Sequence, residues 1–132
     1  MARILLVEDN AANMKLSSLL LCRAGHTVLT AVDAEAGLLA ARDQCPDLIL
    51  MDIQLPGMDG LAATAILKDD PATAQIPIIA LTAMAMKHDQ ERSQTAGCDA
   101  YIAKPLRYQE LYDAIDQLLV AAGHVVVAAD GV

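Results

Sequence analysis

Five short apolar segments alternate along the chain with longer amphipathic ones. The apolar segments have the length of β-strands and cover Arg3–Val7, Thr27–Ala31, Asp47–Met51, Pro77–Leu81 and Ala100–Ala103. The first, third and fourth are apolar without alternation, which predicts strands covered on both faces, as in a parallel sheet. The segments between them have the length of helices, so the pattern predicts five βα units.

The last amphipathic segment carries the strongest helical pattern. Its apolar side chains fall on one helical face, at Leu111, Ile115, Leu118 and Leu119. Glycines typical of helix ends follow three of the helical segments, at Gly25, Gly97 and Gly123. Right-handed crossovers between such units predict a flavodoxin-like α/β fold, a doubly wound three-layer sandwich with strand order 2-1-3-4-5. We expect one domain over residues 1–122 and a tail over 123–132.

Length and composition narrow the classes of protein. The chain has 132 residues, of which 55% are hydrophobic and 20% charged, enough for one domain with its own core. It has neither a long apolar run nor a basic segment before an apolar stretch, so we expect a soluble cytoplasmic protein without a membrane segment. The net charge of −8 predicts no direct binding to nucleic acid. Three cysteines without a close pair, Cys22, Cys45 and Cys98, predict buried thiols in a reducing compartment.

Polar residues follow four of the five predicted strands. They are Glu8-Asp9-Asn10, Asp52, Thr82 and Lys104-Pro105. Because the carboxyl ends of parallel strands share one edge of the sheet, we expect three carboxylates, a hydroxyl and an ammonium to converge there. Each residue alone is compatible with a helix cap, an Asx turn or a plain turn. Their joint placement at one edge favours a functional site.

Four segments of the chain resemble the response-regulator receiver domains of two-component signalling. They are ILLVEDN, PDLILMDIQLPGMDG, IPIIALTA and GCDAYIAKPL, and the similarity spans about residues 2–121. The opening of the first helix, in EDNAANMKL, and the lack of an output domain are most similar to the stand-alone cell-cycle regulators of alphaproteobacteria. The resemblance implies a protein that is switched by phosphorylation.

The resemblance also implies roles for individual residues. Asp52 would be the phosphoacceptor, Glu8 and Asp9 the acidic pocket, and Thr82 and Lys104 the other two signature positions. Tyr101 would be the rotating switch aromatic, and Lys104–Pro105 a cis peptide. Glu8 stands where the family more often has Asp.

Clustered carboxylates indicate a bound cation, because their negative charges repel one another. Two like charges 4 Å apart repel by about 4 kcal/mol at an effective dielectric constant near 20. An oxygen-only ligand set suits Mg²⁺ or Mn²⁺. We expect Asp9 and Asp52 to bind the metal directly and Glu8 to act through water, and the resemblance implies the backbone carbonyl of Gln54 as a further ligand.

The partners follow from the same resemblance. The phosphodonor would be a histidine kinase or a histidine phosphotransfer protein, docking on the first helix near Asn13 and Leu16. The chain would catalyse its own Mg²⁺-dependent phosphorylation and slow dephosphorylation without being a conventional enzyme. Without an output domain, it would signal by binding a downstream protein through the surface formed by helix 4, strand 5 and helix 5, near Tyr101.

Four other functions share some of these features. An aspartyl phosphohydrolase needs a second Asp two residues after its nucleophile, where this chain has Gln54. A flavodoxin-type electron carrier needs a phosphate-binding first loop, which is acidic here. A receiver-like module that binds without phosphorylation is disfavoured by the intact signature residues. A receiver cut from a hybrid kinase is disfavoured by the start at Met1 and the end at Val132.

Overall fold

Strands and helices alternate strictly in the computed structural model, which describes residues 2–82, 87–103 and 107–123, without the side chains of 87–90. The strands are β1 (Arg3–Val7), β2 (Thr27–Ala31), β3 (Leu48–Asp52), β4 (Ile78–Thr82) and β5 (Ala100–Ala103). The helices are α1 (Ala11–Arg23), α2 (Ala34–Gln44), α3 (Gly60–Asp69), α4 (Lys87–Ala96) and α5 (Tyr108–Ala121).

All four strand pairings are parallel and give the order β2-β1-β3-β4-β5, which confirms the predicted fold. Two strands lie one residue later than predicted. Asp47 directly precedes β3, and its carboxylate accepts a hydrogen bond from the backbone N–H of Arg3, at 2.8 Å. At the other end, the N–H of Ile53 donates to the carbonyl of Leu81 and prolongs the pairing. Asp52 and Thr82 are therefore the last residues of their strands.

The three inner strands are covered on both faces. Every residue of β3 and β4 is buried, and so are the last four residues of β1. One face packs on α1 and α5, where Leu111, Ile115 and Leu119 are buried and Leu118 is partly buried, as the amphipathic pattern predicts. The other face packs on α2 and α3. Among the described residues, no helix is both long and apolar enough to cross a bilayer.

The expectation of three buried thiols is wrong. Cys22 lies on the solvent side of α1, and Cys45 is exposed at the C-cap of α2, with a left-handed φ of 46°. Cys98 is partly buried, and burial raises its pKa while a hydrogen bond from its Sγ to Thr64 Oγ1 opposes the shift. The error arises because a helix turns neighbouring residues to different faces, so apolar neighbours in sequence do not show that a side chain is buried.

Candidate functional site at the carboxyl edge of the sheet

Three carboxylates meet at the carboxyl edge of the sheet. One oxygen each from Glu8, Asp9 and Asp52 lies within 4.8 Å of the other two. Glu8 and Asp52 are only 2% and 3% exposed, whereas Asp9 is open to solvent. Three like charges this close repel one another, and a bound cation would relieve that repulsion.

The loop after β1 holds two of these acids. The backbone N–H of Glu8 donates to the carbonyl of Ala31 at 3.0 Å and extends the pairing with β2. The N-cap of α1 is Asn10, whose side chain accepts from the N–H of Asn13. The acidic pair therefore precedes the cap and does not form it, so helix capping does not explain these two residues. The side chain of Asn13 also donates from Nδ2 to Glu8 Oε1, at 3.1 Å.

Asp52 ends the central strand and turns into the next loop. Its Oδ1 accepts a hydrogen bond from the N–H of Gln54 at 2.9 Å, which is the Asx-turn contact expected of such a residue. The side chain of Gln54 is exposed, so it is the backbone of this residue that contacts Asp52. The turn holds the buried carboxylate in one orientation beside the other two acids.

Gly60 is a site residue that the strand-end pattern did not reveal. It opens α3 directly after the N-cap Asp59, and its N–H donates to the carbonyl of Ile53 at 3.2 Å. A Cβ at this position would overlap the carbonyl oxygen of Asp52. Only glycine lets α3 approach the end of β3 so closely. The sequence shows this residue only as the second glycine of GMDG, and its role depends on a contact with Asp52, eight residues earlier.

The other residues that the sequence predicts for the site lie on β4, on β5 and after β5. Thr82 is fully buried at the end of β4, the strand next to β3. Tyr101 is half-buried on the edge strand β5 and packs against the small cluster of Ile53, Leu61 and Ala80. Lys104 and Pro105, with the expected cis peptide between them, lie outside the described residues.

The two residues expected to dock partners lie on α1. Leu16 is 50% exposed, and Asn13 is half-buried one turn earlier, against Glu8. The structure thus separates them: Leu16 faces solvent, while Asn13 contacts the acidic cluster. Docking itself stays a prediction for both.

The donor atoms of the cluster suit a hard divalent cation. They are carboxylate oxygens from the loop after β1 and from the last residue of β3, with one member exposed and two buried. Mg²⁺ binds proteins through one or two carboxylates and keeps several waters, so a half-open site of this kind matches its preference. The residues present therefore fit the metal that the sequence predicts.

Known proteins share both the sequence and the fold. The family model for the response regulator receiver domain matches residues 4–116. The polar-differentiation response regulators DivK of Brucella anthropi and Brucella ovis are each 45% identical over 116 residues, which cover 88% of this chain and 94% of theirs.

Solved structures of receiver domains have the same fold as this chain. The receiver domain of the sensor histidine kinase PA1611 from Pseudomonas aeruginosa, with a magnesium ion in its active-site cleft, matches with a TM-score of 0.85 and 36% identity, over 90% of this chain and 98% of that one. A CheY-like receiver domain protein from Methanospirillum hungatei matches with a TM-score of 0.85 and 30% identity, over 92% and 96%.

Proposed function

Because this chain belongs to the response regulator receiver domain family, in which signalling depends on phosphorylation, we propose that it is a switch phosphorylated on Asp52. The observation that carries the proposal is the position of Asp52. It is a buried carboxylate at the end of the central strand, and it lies within 4.8 Å of two further acids. Glu8 and Asp9 both come from the loop after β1, so Asp52 is the one acid of the three that lies on the strand next to β4, which ends in Thr82.

Asp9 and Asp52 would hold Mg²⁺ or Mn²⁺ directly, with Glu8 acting through a water molecule and the backbone carbonyl of Gln54 as a further ligand. A bound divalent metal supplies positive charge next to the oxygens of the transferred phosphoryl group. Asp9 is the exposed member of the cluster, so metal and phosphodonor would approach the buried Asp52 from its side.

The reaction is a phosphoryl transfer between two nucleophiles. A carboxylate oxygen of Asp52 attacks the phosphorus of a phosphohistidine on the partner. The new O–P bond forms as the P–N bond breaks, and the electron pair of that bond stays on the imidazole nitrogen. The product is an acyl phosphate, which water later hydrolyses to restore the carboxylate. The chain mainly supplies position and charge, as is general in phosphoryl transfer.

Thr82, Lys104 and Tyr101 would couple phosphorylation to a change of shape. Moving an equilibrium from about 1:99 to about 99:1 takes about 5.5 kcal/mol. A hydrogen bond from Thr82 to a charged phosphoryl oxygen supplies about 1.5–3 kcal/mol, so it is insufficient alone. Inward burial of the half-exposed Tyr101 ring and an ion pair from Lys104 would supply the rest. The switch is therefore distributed over several residues.

The partners are proposed from the same family. The phosphodonor is a histidine kinase or a histidine phosphotransfer protein in the cytoplasm, docking on α1 around Asn13 and Leu16. The output is protein–protein binding at the surface of α4, β5 and α5 near Tyr101. Phosphotransfer profiling against all histidine kinases of the source organism would identify the donor, and Leu16→Ala should slow transfer from that kinase but not from a small-molecule donor.

Acetyl phosphate tests the phosphoacceptor without a partner protein. With Mg²⁺, intact mass should show one added phosphoryl group, and peptide mapping should place it on Asp52. Asp52→Asn should abolish the modification and leave the melting curve cooperative. Asp59→Asn is the matched control, because it makes the same chemical change at the N-cap of α3, where Asn caps equally well.

Two outcomes would contradict the proposal. A label on Glu8, Asp9 or a histidine would assign another phosphoacceptor. Full signalling by Asp52→Asn in the cell would favour a receiver-like module that binds its target without phosphorylation.

A further inference from the structure

A side-chain hydrogen bond connects α1 to the acidic cluster. Asn13 Nδ2 donates to Glu8 Oε1 at 3.1 Å, and the carboxylate that receives it is only 2% exposed. The resemblance to known receivers implies only a docking role for Asn13. Its contact with a buried acid of the cluster points to a second role inside the site.

Both ends of this contact are fixed by backbone hydrogen bonds. The N–H of Asn13 donates to the side chain of Asn10 at 3.0 Å, and the N–H of Met14 donates to the carbonyl of Asn10 at 2.9 Å. On the other side, the N–H of Glu8 is held by the carbonyl of Ala31. The amide of Asn13 therefore meets the carboxylate of Glu8 in a defined geometry, set by the first turn of the helix.

The chemistry of an amide suits this position. An amide N–H that donates to one oxygen of a carboxylate fixes the orientation of the group and the direction of its remaining lone pairs. A lysine or arginine would do the same, but its charge would repel a cation bound nearby. Asparagine orients the carboxylate and leaves its negative charge available to the metal.

We propose that Asn13 is a positioning residue, which holds Glu8 in the orientation that the metal site needs. The inference rests on the proposed function, because it assumes a divalent cation beside Glu8. Hydrogen-bond partners of metal-site residues typically contribute about 10–100-fold to metal affinity. We expect a value at the lower end, since Glu8 acts through water.

Calorimetric titration of the full unphosphorylated chain with Mn²⁺ tests this role. Asn13→Ala should weaken Mn²⁺ binding about tenfold. Asn13→Gln retains the amide and should recover a substantial part of the loss. Gln109→Ala is the matched control: Gln109 Nε2 also donates to a carboxylate, Asp113 Oδ1 at 2.9 Å, but on the exposed surface of α5. It should leave Mn²⁺ affinity unchanged. Alanine is favourable in helices, so Asn13→Ala should fold, which a thermal melt checks.

A double-mutant cycle shows whether Asn13 acts through Glu8. If Asn13 acts through Glu8, then Asn13→Ala should change Mn²⁺ affinity by less than about twofold in a Glu8→Gln background. Residues that act independently would instead show the same loss in both backgrounds, because independent effects add to within a few tenths of a kcal/mol. A docking role alone would leave Mn²⁺ affinity and acetyl phosphate reactivity at parental values in Asn13→Ala.

Three results would overturn the inference. One is parental Mn²⁺ affinity in Asn13→Ala with Asp52 still phosphorylated, which leaves the proposed function intact. Another is an equal loss with and without Glu8, which would show a general effect on the helix. The third is absence of Mn²⁺ binding in the parent protein, which would overturn the metal site of the proposed function as well.

Discussion

The edge of the sheet at the amino ends of the strands, the amino edge, differs from the carboxyl edge in how its charged side chains are arranged. At the amino edge, the ammonium of Lys68 lies 2.9 Å from the carboxylate of Asp99 and also donates to the carbonyls of Ala74 and Ile76. At the carboxyl edge, three carboxylates lie within 4.8 Å of one another. Among the residues that the structure describes, the amino edge thus carries an ion pair, and the carboxyl edge carries a cluster of three acids.

The amino edge also holds the starts of the strands in place through backbone hydrogen bonds. Asp99 accepts a further hydrogen bond from the N–H of Ile78 at the start of β4, and Asp47 accepts one from Arg3 at the start of β1. A carboxylate there satisfies a backbone donor and stabilises the fold. The acids of the carboxyl edge are placed where repulsion opposes folding. The amino edge therefore stabilises the fold, whereas the proposed function assigns the chemistry to the carboxyl edge.

Gly60→Ala should have the largest effect, because it adds a methyl group where helix and strand touch at the functional edge. Its Cβ would overlap the carbonyl oxygen of Asp52, and forced repacking of this kind costs about 1–3 kcal/mol or more. We expect a loss near 3 kcal/mol in the free energy of unfolding, measured with urea, together with slower phosphorylation by acetyl phosphate. Gly57→Ala, with φ +74° and open space around the Cβ, should cost only about 1 kcal/mol. Parental stability in Gly60→Ala would refute the close approach.

Lys68→Met should destabilise the amino edge without affecting chemistry. It keeps the apolar stem of a side chain that is 21% exposed, but leaves Asp99 and two carbonyls without their ammonium partner. We expect a loss of about 2 kcal/mol in the free energy of unfolding. Lys15→Met on the exposed face of α1 should change it by less than about 0.5 kcal/mol. If folded Lys68→Met reacted slowly with acetyl phosphate, the division between the two edges would be wrong.

Asp9→Asn, unlike the two preceding substitutions, should stabilise the metal-free protein. Without metal, it removes one of three like charges and should raise the free energy of unfolding by about 1 kcal/mol. Mg²⁺ should raise the melting temperature of the parent protein, and this gain should disappear in Asp9→Asn. The control is Asp33→Asn, at the N-cap of α2, because Asn caps as well as Asp. A parent protein whose melting temperature does not respond to Mg²⁺ would count against a metal at this edge.

His26 should give the smallest effect. Burial lowers its pKa from the ordinary 6.5; the Asp116 carboxylate opposes this shift and the N-terminal charge adds to it. Its Nδ1 accepts a hydrogen bond from the N–H of Ala2 at 3.2 Å, which protonation would break. Since the folded state binds this proton less readily than the unfolded state, stability should fall as the pH drops below 6.5.

The size of the effect should be below about 1 kcal/mol, because the imidazole is partly exposed and solvent screens its charge. Urea unfolding at about pH 7.5 and about pH 5.5 brackets the ordinary histidine range. His26→Asn should lose less stability over this interval than the parent protein. An equal loss in both proteins would assign the pH dependence to other groups.

The sheet and the meeting of the acids could be predicted from sequence for one physical reason. In a parallel sheet the carboxyl ends of all strands lie at one edge, so Glu8, Asp9 and Asp52 converge once the strands are identified. The apolar runs identify those strands because buried parallel strands lack alternation. An error of one residue at the ends of β3 and β4 did not move Asp52 or Thr82 away from that edge.

Other features depend on contacts that no local pattern contains. The close approach of Gly60 to Asp52 requires the path of a whole loop, and the bond from Asn13 to Glu8 depends on side-chain orientation in the first turn of α1. The exposure of Cys22 depends on the direction in which the helix turns it. Sequence pattern therefore predicted which residues share an edge, and not which atoms touch.

In the proposed function, metal binding and phosphorylation both occur at the carboxyl edge and not at the amino edge. Paramagnetic broadening by Mn²⁺ in amide ¹H–¹⁵N spectra tests it residue by residue, since Mn²⁺ takes the same oxygen ligands as Mg²⁺. The signals of residues 8–10 and 52–54 should broaden first, while those of Arg3, Lys68 and Asp99 persist. Broadening that begins at the amino edge, or that affects both edges equally, would contradict the account.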